Sequence, residues 1–368
     1  MTHTTVAILG GGLAGLNAAR LMQQAGLDFQ LFEARDRLGG RILTVDAAGV
    51  PGLGGYDLGP SWFWPRMQPA IAALVEELRL PSFPQNSDGD VVFERMSREP
   101  AQRYSAEPQE PQSLRLVGGA ATLIHALAKM LPTERLHLSA PVTGLTLEGD
   151  GIMLTVAGAD GSPESVTAEQ VIIALPPRVA QVGLAFTPLL PPETLTLWQD
   201  TPTWMAPHAK FFALYDRPFW REAGYSGSVQ SMVGPMPEIH DATTADGQAA
   251  LFGFLGVGAA ERRRMGEDAL TNACLAQFTR IFGADAAMPR ASLYKDWAAD
   301  PWTAAPADPV STGHAVFTPD WVQGPWAERL VLAGSETSPT EAGYLAGAVE
   351  ASATAVSTLL TRLDGVRA

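Results

Sequence analysis

Apolar residues along this chain fall into two recurrent patterns: short unbroken runs that stop at glycine or proline, and longer stretches at helical spacing. Thr4–Leu9 (TTVAIL) is a β-branched and aliphatic run that ends at Gly10, as a buried parallel strand would. From Leu13 to Ala25 the apolar positions Ala14, Ala18, Leu21, Met22 and Ala25 recur on one helical face, and Gly26 supplies a stop. Phe29–Phe32 (FQLF) then predicts a second strand. Further on, Leu136–Val156 predicts strands joined by a turn at Gly149–Gly151. Val171–Val179 (VIIALPPRV) predicts a buried strand halted by two prolines. FFALY, directly after Lys210, reads as another apolar strand, and LVLAG as one that reaches Gly334. Asp268–Phe282 carries apolar residues at helical intervals around Cys274, whereas Ser97–Ser113, rich in Pro, Gln and Glu, predicts an exposed loop. The chain has no internal repeats.

Composition bounds the class of protein. With 368 residues, 46% of them hydrophobic and 17% charged, the chain is expected to be globular and to form two domains. Its 25 basic and 39 acidic side chains leave a net charge of −14, which opposes binding to a nucleic-acid backbone or an anionic membrane surface. The N-terminal residues lack a basic region followed by an apolar stretch, and no run of about 20 apolar residues is present. A soluble, cytoplasmic protein is therefore expected. Cys274 is the only cysteine, which excludes an intramolecular disulfide and predicts a buried structural thiol. His208 and His314 lack metal-ligand spacing, so no metal site is expected, and no serine or cysteine nucleophile motif stands out. The sequence carries no signal of oligomeric state.

The candidate chemistry starts with Gly10, Gly12 and Gly15, which have GxGxxG spacing between the first strand and its helix. Gly10 permits a tight turn, Gly12 leaves room for a pyrophosphate, and Gly15 lets the helix approach the sheet; the helix N-terminus offers free N–H groups to phosphate. Glu33, at the end of the second strand, is placed to accept hydrogen bonds from both ribose hydroxyls, which disfavours a 2′-phosphate. These features specify a dinucleotide without choosing between NAD and FAD. The residues that follow make the choice. Glu33–Arg41 (EARDRLGGR) resembles the second fingerprint of the flavin amine oxidase family. The resemblance implies that FAD is the cofactor, that Gly39 and Gly40 bring backbone against its pyrophosphate, and that Ala14, Ala34, Arg35 and Arg41 help to hold it.

The likeness covers nearly the whole chain. Tyr56–Pro65 (YDLGPSWFWP) resembles the family segment beneath the flavin, which implies that Gly59, Pro60, Ser61 and Trp62 approach the ring. Arg115–Ala128 looks like the family's glycine pair opening an amphipathic helix, and Val142 matches a residue whose backbone contacts the adenine. Leu330–Ser352 is similar to the C-terminal flavin segment, with Gly334 ending a strand, Glu336 near the ribityl chain, and Gly343 and Ala346 at the close approach of the last helix. Ala206–Trp220 resembles the segment whose lysine, here Lys210, reaches flavin N5 through a water. Tyr344 matches one of two aromatic walls of the amine channel. The other departs from the family: Pro306 stands where some members attach FAD through cysteine, and Ala307 where the second wall would be. FAD is accordingly expected to bind non-covalently, with Trp62, Trp64 and Trp302 as compensating aromatic surface and His208 as a further candidate for the pocket.

The resemblance implies an α/β fold: an FAD-binding Rossmann-type domain with a discontinuous mixed α+β substrate domain. The FAD domain would comprise 1–80, 113–185 and 306–368, and the substrate domain 81–112 and 186–305. It also implies the reaction, in which a small-molecule amine gives hydride to flavin N5 and becomes an imine, while molecular oxygen accepts the electrons and yields hydrogen peroxide. Lys210 and Tyr344 would be the catalytic residues. Two rivals share the fold: a dehydrogenase, desaturase or isomerase acting on a C–C bond, and a flavin-bearing binding protein without turnover. The first substrate insertion looks much shorter than in membrane-bound animal monoamine oxidases, so the pocket is expected to be more open or differently covered.

Overall fold

A computed structural model describes residues 2–105, 110–158, 161–310, 313–314, 318 and 320–367. The first strand, Thr2–Leu9, lies at the centre of a sheet that has eight strands among the described residues. On one side it pairs in parallel with Phe29–Phe32, which pairs in parallel with the short strand Leu136–His137. On the other side it pairs with Pro163–Ile173, a long strand that divides its partners. Its first half takes the antiparallel hairpin Val142–Glu148 and Gly151–Ala157, and its second half takes Leu330–Leu332 in parallel. The inner parallel stretches 6–9, 171–173 and Leu330–Leu332 are apolar throughout and covered on both faces. Val6 and Ile8 point into a core built with the helices Leu13–Gln24 and Leu345–Arg367, while Ala7 and Leu9 point into a second core beneath the hairpin.

A second sheet, of seven strands among the described residues, is made by Ala291–Asp296, Ala209–Tyr215, Ala249–Phe254, Glu238–Asp241, Tyr225–Ser231, Asp90–Glu94 and Gln102–Ser105, in that order. Period-2 alternation sorts its central strand. Phe211 and Ala213 face the helix Glu267–Phe282, in whose core Cys274 is buried, and Phe212 and Leu214 face Val45, Tyr56 and Leu58 of the N-terminal segment. Lys210 shares the parity of Phe212 and therefore points toward the first unit. The architecture is the expected one: a Rossmann-type α/β sheet and a discontinuous α+β partner.

Two local expectations are corrected. The exposed loop expected over Ser97–Ser113 contains the strand Gln102–Ser105, although all four of its residues are exposed. It is an edge strand held by backbone pairing with Asp90–Glu94 and by Arg103, which donates to Asp90 at 3.0 Å and lies 3.9 Å over the Tyr225 ring. Residues 186–198, expected in the second unit, pack on the first sheet. Ala185–Thr187 pairs beside Val142–Glu148, and Phe186, Leu190 and Trp198 fill the core beneath it. Trp198 donates through Nε1 to the Trp321 carbonyl at 2.8 Å, which closes that core with a residue from the C-terminal part of the chain.

Candidate active site

The glycine loop is fixed by close backbone contacts. A Cβ on Gly15 would stand 1.9 Å from the Gly10 carbonyl oxygen, so the helix can approach its strand this closely only without a side chain. Gly12 differs: a Cβ there would meet nothing nearer than 3.8 Å and would project into an open cavity that Gly12 lines. The helix that follows has no side-chain cap, and Leu13 and Ala14 of its first turn also face the cavity. This is the cradle a pyrophosphate needs. Gly39 donates its N–H to the Gly11 carbonyl at 2.8 Å, which lays the second glycine pair against the first, and Gly40 lies within van der Waals reach of Gly12. Glu33 is buried at the cavity wall, where it accepts from Gly11 N at 2.6 Å and Arg35 N at 2.9 Å.

The cavity has a volume of about 390 Å³ and runs along the joint between the two units. Gly10, Ala34, Arg35, Arg41, Gly59, Pro60, Ser61, Trp62, Trp64, Val142, Lys210, Trp302, Gly343 and Tyr344 line it together with Gly12, Leu13, Ala14, Glu33, Gly39 and Gly40, whereas Gly15 lies behind the loop against Gly10. Gly334, Glu336, Ala346 and His208 do not. Gly334 packs on Leu175, where a Cβ would sit 2.5 Å from the carbonyl oxygen. Glu336, fully buried, pairs with Arg41 at 2.5 Å, and Arg41 also donates to Ser335 and to the Trp204 carbonyl. Ala346, in the first turn of the last helix, is turned into the core. His208 packs 5.5 Å from Trp204, with burial and the nearby Arg262 holding its imidazole below the ordinary value.

Lys210 occupies the floor. It is 2% exposed and donates through Nζ to Gly59 O at 2.6 Å, Ser61 Oγ at 3.1 Å and Asp57 O at 3.3 Å. The rings of Phe252 and Phe254 lie 4.7 and 5.1 Å from the nitrogen. Its nearest acceptors are all neutral. Burial brings its pKa down to about 7 against the opposing pull of Asp57, whose own buried carboxyl is pushed up. Beside it, Trp62 donates to Gln85 at 2.8 Å, and Gln85 donates onward to the Asp241 carbonyl at 2.8 Å, so the indole is held from outside the cavity. Trp297 bonds the Leu58 carbonyl at 3.0 Å and fixes the start of the same segment.

Several participants carried no signal in the sequence. Trp204, Met205, Phe254, Trp297 and Thr303 line the cavity. Trp204 packs on Gly343, where a Cβ would come within 2.4 Å of it, and stacks on His314 at 3.8 Å. His314 in turn stacks on Tyr344 at 4.8 Å. Burial and then Glu341 raise the Tyr344 phenol above its ordinary value. Met205 adopts a left-handed backbone (φ 64°), rare for a bulky residue, in the turn that leads into the lysine strand. Pro306 and Ala307 are exposed and do not line the cavity; Trp302 and Thr303 of the same segment do.

The residues present fit FAD. The open Gly12 cradle, the uncapped helix, the buried Glu33 and the continuous cavity leading to the Gly59–Trp62 floor accommodate a dinucleotide with a long ring system. No thioether tethers it, since the only cysteine is buried beneath the second sheet, where burial raises its thiol to about 12. The family model of flavin-containing amine oxidoreductases matches residues 13–115 and 102–360. A Mycobacterium tuberculosis protein named as a flavin-containing monoamine oxidase, AofH, is 29% identical over 94% of this chain and 94% of its own. Among solved structures, a putrescine oxidase with bound putrescine superposes with a TM-score of 0.81 at 20% identity, covering 98% of this chain and 99% of its own. Cyclohexylamine oxidase from Brevibacterium oxydans superposes with a TM-score of 0.77 over the same shares, again at 20% identity. These two likenesses are of fold. The chain belongs to the family of flavin-containing amine oxidoreductases, and it is an FAD-dependent enzyme that oxidises an amine.

Proposed function

We propose that the protein oxidises a small amine without a carboxylate, with molecular oxygen as electron acceptor and hydrogen peroxide as co-product. The observation that carries this reading is Lys210: a buried amine at the cavity floor, held by Gly59 and Ser61, with a pKa near neutrality. The bound flavin supplies the hydride acceptor. Gly10, Gly12, Ala14, Ala34, Gly39, Gly40 and Val142 hold its dinucleotide part, Glu33 takes the ribose hydroxyls, and Gly59, Pro60, Ser61 and Trp62 support its ring. With a pKa near 7, Lys210 exchanges a proton with a water at the floor at neutral pH and orients that water. Tyr344 is an aromatic wall for the apolar body of the amine, and Trp62, Trp64 and Trp302 extend it. The substrate loses a hydride from its α-carbon and a proton from nitrogen, and water hydrolyses the resulting imine.

Charge pairing supports the restriction on substrate. Among the described lining residues the cations are Arg35, Arg41 and Lys210. Arg35 is engaged with Asp300, Arg41 with Glu336, and Lys210 with three acceptors. An incoming carboxylate would have to break one of these to be paired, at a cost of several kcal/mol. We assign cofactor binding to the first-sheet unit and substrate cover to the second-sheet unit. The cytoplasm is the proposed compartment, since a lone buried thiol needs no oxidising environment. Among the described residues no helix is long and apolar enough to cross a membrane.

An anaerobic panel tests the reading. Flavin absorbance should bleach with a monoamine and recover rapidly on admitting air, with stoichiometric peroxide. Bleaching only by substrates oxidised at a C–C bond, or recovery only with an artificial acceptor, would overturn it.

A further inference from the structure

The arginine expected to steady the cofactor has its strongest partners in the other unit. Arg35 lines the cavity two residues after Glu33, yet its Nη2 donates to Asp300 at 2.8 Å and to Thr303 Oγ1 at 2.9 Å. Both lie in the turn that follows the last strand of the second sheet, Ala291–Asp296. Asp300 itself does not line the cavity. It is the hub of the turn: Lys295 donates to its other oxygen at 3.1 Å, the Trp302 amide donates at 3.0 Å, and its carbonyl accepts from the Thr303 and Ala304 amides. Burial alone would raise the Asp300 carboxyl, but Arg35 and Lys295 outweigh it and hold the group below the ordinary carboxylate value. Arg35 and Asp300 are 12% and 10% exposed at their side chains, so water screens the pair little.

We propose that Asp300 is a positioning residue for cofactor retention: acting through Arg35, it clamps the second unit's turn across the dinucleotide segment, so that FAD is locked in by residues of both units. A non-covalent cofactor bound only by the first unit could leave through the joint between the sheets, and the Asp300–Arg35–Thr303 cluster closes that joint beside Glu33. The same carboxylate fixes the Trp302 amide, so the closed joint and the placement of Trp302 are one arrangement. The inference rests on Arg35 facing the cofactor, as proposed above.

The test is a double-mutant cycle on the FAD dissociation constant, measured by titrating FAD into the flavin-stripped full-length protein. Arg35→Met alone should raise the constant about tenfold or more, and Asp300→Ala alone by a similar factor, since either change breaks the ion pair that joins the two units, while Lys295 remains on Asp300 and Glu33 remains 3.7 Å from Arg35. The two together should raise it little more than either one. Asp300→Asn, which keeps an acceptor for the Trp302 amide, should still weaken FAD several-fold and serves if the alanine variant folds poorly. Thermal unfolding of the flavin-free variants separates retention from general stability. An unchanged dissociation constant in both Asp300 variants overturns the clamp. So do multiplicative effects of Arg35→Met and Asp300→Ala, or a loss of affinity fully matched by loss of apoprotein stability. An unchanged constant in Arg35→Met alone contradicts the placement of Arg35 instead.

Discussion

At the end of the cavity proposed to hold the dinucleotide, the chemistry comes from one short stretch of chain. Gly10, Gly12, Gly15, Glu33, Gly39 and Gly40 sit within the first strand, its helix and the segment after the second strand, and most of what they offer is backbone. At the lysine end, each atom comes from somewhere else. Lys210 rises from the second sheet to reach Gly59 and Ser61, Gln85 holds Trp62 from a different strap, and Trp204 packs on Gly343. The difference teaches how each end depends on folding. The first is a local motif whose geometry is set by steric limits on glycine. The second exists only once the two sheets have docked, and its polar groups are satisfied by partners far apart in sequence.

The contrast can be broken first at the glycines. Gly15→Val forces a side chain onto the Gly10 carbonyl and should cost about 3 kcal/mol of stability or more even without FAD, read by urea unfolding of the apoprotein. Gly12→Val has open space around it, so apoprotein stability should stay within about 1 kcal/mol while FAD affinity falls at least about a hundredfold. Equal apoprotein stability in the two variants would erase the distinction between a packing glycine and a cradle glycine.

The lysine end carries a pH signature. Lys210 has a folded pKa near 7, below the ordinary value of 10.5 from which burial lowers it. Between these values the unfolded chain binds more protons, so this group makes stability rise with pH from about 7 to about 10.5 and contributes no slope below that window. Lys210→Met should remove the slope, as urea midpoints across that range would reveal. A smaller effect is expected at Gln85→Leu, which strips Trp62 Nε1 of its acceptor and leaves the Asp241 carbonyl short of a donor. About 1–3 kcal/mol of stability should be lost, and the amine KM should rise more than kcat falls. The smallest effect belongs to Cys274→Ala in the core of the second sheet, with about 1 kcal/mol lost and FAD retention unchanged. Acid denaturation should release all the flavin from wild type and this variant alike.

What the sequence revealed follows the same division. Gly10, Gly12, Gly15 and Glu33 were legible because a steric rule links spacing to geometry over a few residues. The resemblance around Arg35–Arg41 and Gly334–Glu336 extended the reading to the cofactor. Lys210 was legible by likeness, whereas the face it shares with Phe212 became visible only in the packed sheet. Trp204 and Met205 were not, because nothing local marks a residue whose role comes from packing against Gly343 or from a turn leading into a strand. Glu336 was named by likeness alone, and its ion pair with Arg41, which does line the cavity, is a contact 295 residues apart that no local pattern announces. The strand Gln102–Ser105 was hidden for another reason. An exposed edge strand has no apolar alternation to display.

The central claim is that Lys210, poised at the cavity floor, serves the reaction with oxygen more than the oxidation of the amine. Stopped-flow measurement on Lys210→Met and wild type, with anaerobic reduction by an amine followed by mixing with oxygenated buffer, tests it directly. Flavin reduction should stay within about threefold of wild type, while reoxidation slows by about tenfold or more, within the range of a lost proton-transfer group. Reoxidation at the wild-type rate, or a larger loss in the reductive half, would contradict the account.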